Sequence, residues 1–291
     1  MRHRHVRGAR LPQERPQGPR RSPQPDWSLT VLTPAEIEVS AEKIGQAKAN
    51  LALPKAFVLG CMAGFYIGLG ATFMLIVKAD STLSFGISSV LGGLAFSLGL
   101  FLVLVAGAEL FTGNSLMAIG LLSRKYDLKR MLSRWAVVYA GNLVGSLLLA
   151  LILHLAAFRT LGGGAVGEVA VSIAAAKAGL APGAVFFRGI LCNILVCLAV
   201  WMSFAGTTVA DKFFAAAVPV AGFVACGFEH CIANMFFIPF GMLTQGAIGL
   251  DSVTMAGMVQ NIILATAGNI VGGALMVACA YWFVYGKKAK R

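Results

Sequence analysis

Two short polar interruptions constrain this chain more than any other feature. Gly107-Ala108-Glu109-Leu110-Phe111-Thr112-Gly113-Asn114 and Gly227-Phe228-Glu229-His230-Cys231-Ile232-Ala233-Asn234 both read Gly-x-Glu-x-x-x-x-Asn, and each interrupts an apolar run of membrane length. A carboxylate and an amide at that depth cost on the order of a few kcal/mol each, so they must face protein or a water-filled passage. A second motif recurs in the same order: Ala140-Gly141-Asn142-Leu143-Val144-Gly145 and Ala267-Gly268-Asn269-Ile270-Val271-Gly272. Glu109 and Glu229 are 120 positions apart and Asn142 and Asn269 are 127 apart, which is the signature of a duplicated unit.

The rest of the chain agrees with a membrane protein. Only 12% of its residues are charged, against about 25% in a soluble domain. The 34 glycines suit close helix packing in lipid. A net charge of +12 is concentrated at the ends and in one loop, which points to membrane orientation and not to nucleic acid. All six cysteines lie in apolar segments without metal-ligand spacing, so neither a metal, a cofactor nor a disulfide frame is expected.

About 20 apolar residues are needed to cross a bilayer. Six spans are therefore expected near 55–77, 84–123, 131–157, 183–204, 211–243 and 255–285. The second and fifth exceed one crossing and hold the two interruptions, so both read as broken helices. Residues 1–32 form a basic tail with seven arginines in the first 21 positions, a composition that cannot bury a core. Residues 33–53 form an amphipathic helix opened by the capping box Thr33-Pro34-Ala35-Glu36. A single transmembrane domain covers 54–285, with repeats at about 54–157 and 183–285, and 286–291 is a basic C-terminus. Arg124, Lys125, Lys129, Arg130 and Arg134 fall on one side of the membrane with both termini, against Lys78, Arg159, Lys177 and Arg188 on the other. Both termini are then cytoplasmic. Three spans copied in tandem reverse direction, and inverted repeats with matched broken helices place a permeation site near the midplane.

His230 is the only histidine in either broken segment. Its unperturbed pKa suits proton transfer to a weak-acid anion; the alternative is a neutral packing histidine bound to a neighbouring amide. Glu109 and Glu229 read either as proton acceptors or, preferably, as carboxylates that tie up free backbone amides at the breaks. Asn114 and Asn234 read as support for the same breaks. Lys177, a lone cation in Ala174-Ala175-Ala176-Lys177, either concentrates anions at the outer mouth or is a solvated lysine; Arg188 is a weaker candidate. Phe96, Leu100, Leu110, Phe111, Val196 and Phe223 lie near the breaks, where apolar rings exclude ions by dewetting if they are not simply packed. An intramembrane hydrolase using His230 and Ser115 would want a Gly-x-Ser-Gly turn, and none occurs. A water channel of paired Asn-Pro-Ala turns is excluded by Asn114-Ser115 and Asn234-Met235.

From about residue 34 to 285 the chain resembles the formate/nitrite transporter family. The resemblance rests on Phe96-Ser97-Leu98-Gly99-Leu100, Ala106 to Asn114, Asn193 to Met202 and Gly227 to Met235. It implies an all-α, aquaporin-like inverted-repeat protomer in a plasma-membrane homopentamer with one pore per protomer. It implies no enzymatic activity, transport of formate or nitrite with protons, and hydrosulfide or another short monocarboxylate as the alternative substrate. It places Thr112 opposite His230, makes Asn193 and Lys177 part of the substrate path, and makes Phe96, Leu100, Leu110, Phe111, Val196 and Phe223 two lipophilic constrictions.

Overall fold

The computed structural model describes residues 31–80, 82–250 and 252–286. The basic stretches 1–30 and 287–291 lie outside the described residues. Among the described residues the protein is helical throughout. Helix α1 (Pro34–Asn50) starts where Thr33 donates its hydroxyl to Glu36 and the same carboxylate accepts the Thr33 backbone N–H at 2.8 Å. These two bonds hold the Glu36 carboxyl below the usual carboxylate range. Its inner face, Ile37, Ala41, Gly45 and Ala49, recurs every fourth residue.

α2 (Leu53–Lys78) and α3 (Phe85–Ala106) follow. At 26 residues α2 is about 39 Å long, enough to cross. α3 stops at Gly107, whose φ of 80° closes the helix in a left-handed cap. After the break the chain resumes as a tight 3-10 turn, Gly113–Leu116, and the short α4 (Met117–Leu122). α5 (Leu128–Leu155) returns across the bilayer. The second half repeats the order with α6 (Ala165–Ala178), α7 (Pro182–Ala205), α8 (Val209–Ala225) and, after the break at Gly227 with φ 66°, α9 (Cys231–Ala247). The last crossing runs from α10 (Met255–Ile270) through a π-helical segment, Val271–Cys279, into α11 (Ala280–Tyr285).

The stretch between spans three and four, read from sequence only as a connection, is helical. Its apolar length from Phe158 to Ala178 is 21 residues, but Leu161, Gly162 and Gly163 leave helical geometry. The regular part, α6, has 14 residues and reaches about 21 Å, short of a 30 Å hydrocarbon core. The fifth crossing is therefore the pair of half-helices α8 and α9. α6 packs on α9 as α1 packs on α4, so α1 and α6 occupy matching places in the two halves.

Small residues set the spacing. A Cβ on Gly64 or Gly145 would overlap the carbonyl of Asn142 or Cys61, which locks α2 backbone-to-backbone on α5. Gly268 of α10 and Gly272 of the π-helical segment do the same toward α7, against the carbonyls of Phe186 and Ile190. The π segment has a local cause of the same kind. The place of a Cβ on Gly273 is filled by Asn193, Ser115 and Cys197, and the widened turn accommodates the first break as it passes.

Candidate functional site

Each break frees backbone groups that its own helix no longer satisfies: Glu109 N and Glu229 N donate to the carbonyls of Leu59 on α2 and Arg188 on α7 at 3.1 and 3.3 Å, and one asparagine per half takes up others. Asn142 on α5 accepts from Phe111 N at 2.9 Å and donates to the carbonyls of Gly60 at 2.8 Å and Glu109 at 2.9 Å. Asn269 on α10 accepts from Cys231 N at 2.9 Å and donates to Gly189 at 2.7 Å and Glu229 at 2.9 Å. Both side chains are fully buried. The Ala-Gly-Asn motif, seen in sequence only as a mark of duplication, is what holds the breaks in a low-dielectric interior.

That corrects the expectation for the glutamates. Both carboxylates bond to side chains, not to break amides. Glu109 pairs with Lys48 of α1 at 2.7 Å and accepts from Asn114 at 2.8 Å. Glu229 pairs with Lys177 of α6 at 2.9 Å and accepts from Asn234 at 2.7 Å. Asn261 adds a donor to Glu229 at 3.1 Å and binds Asn234 and the Lys177 carbonyl, a reinforcement particular to the second half. Each Lys-Glu-Asn set fastens a flanking helix to a break. Lys177 is thus no lone cation: its charge is matched within hydrogen-bond distance. Sequence reading passed over Lys48, although it lies in the last turn of α1 as Lys177 lies in the last turn of α6.

His230 caps α9 by accepting the Ala233 N–H on Nδ1 at 3.0 Å. A backbone N–H can only donate, so Nδ1 carries the lone pair and the ring proton sits on Nε2. Nε2–H then donates to Thr112 Oγ1 at 2.9 Å, across 118 residues of chain. The two breaks meet at this one hydrogen bond, and the hydroxyl hydrogen of Thr112 is left for another acceptor. Asn193 lies beneath it. Its Nδ2 approaches Asn269 O at 2.6 Å, Ser115 Oγ at 3.1 Å and Thr112 O at 3.3 Å. It joins the two halves at the midplane and borders none of the three cavities described next.

Three cavities stand in series. The inner one, about 240 Å³, is bordered by Lys48, Leu100, Glu109, Leu110 and Asn114. A central one of about 10 Å³, room for roughly one water, is walled by Ile67, Phe96, Leu100, Leu110, Val196, Val220, Phe223 and His230. The outer one, about 100 Å³, is bordered by Met74, Phe96, Lys177, Phe223, Gly227 and His230. Leu100 and Leu110 border both inner and central cavities, so they are one partition; Phe96, Phe223 and His230 are the other. The second partition is a packed aromatic set: Phe223 meets Phe96 edge-on at 5.9 Å and stacks on the His230 ring at 5.9 Å.

Of the residues expected at constrictions, Phe96, Leu100, Leu110, Val196 and Phe223 border the central cavity. Phe111 does not. Its ring packs on Tyr139 at 4.9 Å and Trp135 at 5.8 Å, on the α5 side of the break, away from all three cavities. Thr112 also borders none of them and reaches the passage only through His230. Ile67 and Val220 complete the central wall and gave no signal among the many apolar residues of α2 and α8.

Comparison with known proteins agrees over most of this architecture. The sequence matches the family described as formate/nitrite transporter over residues 35–283. Formate channel FocA of Haemophilus influenzae is 38% identical over 265 residues, 86% of this chain and 93% of that protein. Formate channel FocA of Escherichia coli strain K12 is 37% identical over 275 residues, 89% and 96% of the two chains. A solved structure described as a pentameric formate channel with formate bound superposes with a TM-score of 0.72 at 38% identity, over 81% of this chain and 98% of that one. Another, described as an ion channel of the same family, gives 0.75 at 30% identity, over 86% and 98%.

Proposed function

This multi-pass membrane protein belongs to the formate/nitrite transporter family, and from that premise we propose that each protomer passes formate, and nitrite of similar size and charge, between its outer and inner cavities. The observation that carries the reading is the series of three cavities, with the sole titratable side chain of the central one, His230, at its outer partition. An anion in that apolar gap has lost its water, at a cost of several kcal/mol or more. A neutral weak acid avoids most of that cost, so the crossing species is the acid, or the anion briefly paired with a proton on His230.

In this reading an entering carboxylate or nitrite oxygen competes with Thr112 Oγ1 for the Nε2–H of His230, and protons accompany the anion. Taking up a second proton on Nδ1 would break the cap on α9, at about 0.5–2 kcal/mol, so a charged His230 is a transient state. The Lys-Glu-Asn sets hold the breaks in register around it. The relatives' description as formate channels supports formate as the first substrate, and the solved pentamer supports a homopentamer in the lipid bilayer. Arg and Lys placement supports an orientation with both termini cytoplasmic.

Proteoliposomes carrying the purified protein and a trapped pH dye test this reading in a stopped-flow instrument. Formate and nitrite gradients should move the internal pH faster than in protein-free vesicles, while sulfate and sodium should not enter. Sulfate crossing as fast as formate would overturn it.

A further inference from the structure

We propose that Phe237 is a positioning residue of the outer partition. It holds the Phe96 ring as a fixed leaf, so that the partition opens by Phe223 alone and keeps back acids larger than formate or nitrite. The inference rests on the anion-passage reading above. His230, Ala233 and Phe237 recur at helical spacing along α9, and all three border the outer cavity. From that face the Phe237 ring lies nearly parallel to Phe96, with centroids 6.2 Å apart and planes 17° from each other. Phe237 is itself held. It is buried, meets Phe236 edge-on at 5.8 Å, and has the Lys177 ammonium over its ring at 5.8 Å. The Lys177–Glu229 pair thus steadies a ring as well as a break.

The two leaves are unequally fixed. Phe96 is in the middle of α3, where a Cβ on Gly70 would overlap its carbonyl, so α2 locks its backbone, and Phe237 lies along its ring. Phe223 is in the last turn of α8, which ends at Ala225. Packing beside it is loose: a Cβ on Gly222 would find its nearest neighbour, Leu195, at 4.0 Å. Phe223 stands between Phe96 and His230, with its ring 5.9 Å from each. Its turning bares the face of the His230 ring, whereas a moving Phe96 would only widen the gap. The first half has no such stack. Eight positions after the break glutamates stand Met117 and Phe237, and Met117 borders the inner cavity as Phe237 borders the outer. A flexible thioether sets no fixed edge, so selection by size belongs to the outer partition.

Glycolate tests this, because glycolic acid is similar in strength to formic acid and larger by a CH2OH group. Phe237→Met and Phe237→Leu remove the flat ring and nearly conserve its volume, the kind of change a packed interior tolerates. In proteoliposomes each should raise the glycolate-to-formate flux ratio about ten-fold, near what one methylene is worth in a fitted pocket. The pH profile of formate flux should stay that of wild type, since His230 is untouched. An unchanged ratio in the folded variants overturns the inference alone. A shifted pH profile overturns it as well, because the substitution then acts on His230 and not on Phe96. A second measurement leaves Phe237 in place. With para-fluorophenylalanine at 96, the fluorine NMR line should stay sharp in saturating formate; with the same label at 223, formate should broaden or split it. Equal responses at 96 and 223 overturn the inference. A wild type that carries no formate fails the channel reading itself, and the inference with it.

Discussion

At Lys177 the sequence suggested a free charge, and the fold provides a partner. The side chain is 16% exposed and Glu229 only 4%, so the pair sits where removing one member leaves a buried, uncompensated charge. Such losses cost about 3–5 kcal/mol. Lys177→Met should lower the midpoint of thermal unfolding in detergent, and adding Glu229→Gln should restore most of it; a Lys177→Met protein as stable as wild type would show the pair to be idle. Salt should not reproduce the loss. His230 invites a different substitution. Asn is among the best N-capping residues, so His230→Asn keeps a cap on α9 while removing the titratable ring. The variant should fold and assemble, yet lose the pH dependence and most of the rate of formate flux. A wild-type rate with an unchanged pH profile would leave His230 a packing residue.

The broken crossings hold together through groups that sit far away in sequence. Asn142 and Asn269 each make three buried hydrogen bonds to break backbone and its neighbours. Each orphaned buried group costs about 1–3 kcal/mol. Asn142→Ala and Asn269→Ala should each destabilise the protein by about 3 kcal/mol or more, measured by denaturation in detergent. Substituting Asn114, with its single donor bond to Glu109, should cost less. Equal effects at Asn114 and Asn142 would show that the breaks are held by the carboxylates after all. The glycines beside these asparagines act on the same elements: they bring α2 to α5 and α7 to α10 close enough for a side-chain amide to span to the neighbouring carbonyl.

At the scale of the molecule, the two halves are alike in their supports and unlike in their passage. Lys48-Glu109-Asn114 and Lys177-Glu229-Asn234 match residue for residue. The position after the glutamate is Leu110 in one half and His230 in the other, and the meeting of His230 with Thr112, whose counterpart is Ile232, makes a polar point in an apolar gap. The gap itself, about 10 Å³, is too small for formate, so Leu100, Leu110 and the Phe96–Phe223 pair must yield during passage. Side-chain rotation within two partitions of this kind admits a small molecule without opening a continuous water column, which would leak ions.

The sequence by itself determined the class of protein, the six crossings, the duplication and the position of both breaks. Each of these follows from local pattern: apolar length, Gly after an apolar run, and a carboxylate at a depth that demands satisfaction. It also brought His230 forward, because a titratable residue in such a segment is rare. Only the tertiary structure decided what the polar residues do. The Lys48–Glu109 and Lys177–Glu229 pairs span 61 and 52 residues, and the Thr112–His230 bond spans 118. No period or spacing announces such partners, since they depend on which faces the helices turn to one another. The same limit hid Ile67 and Val220 in the central wall and turned Phe111 away from it. Apolar side chains are alike in composition, and the direction each one points is settled by packing, where the close approach of glycine-lined helices leaves one arrangement that fills the space.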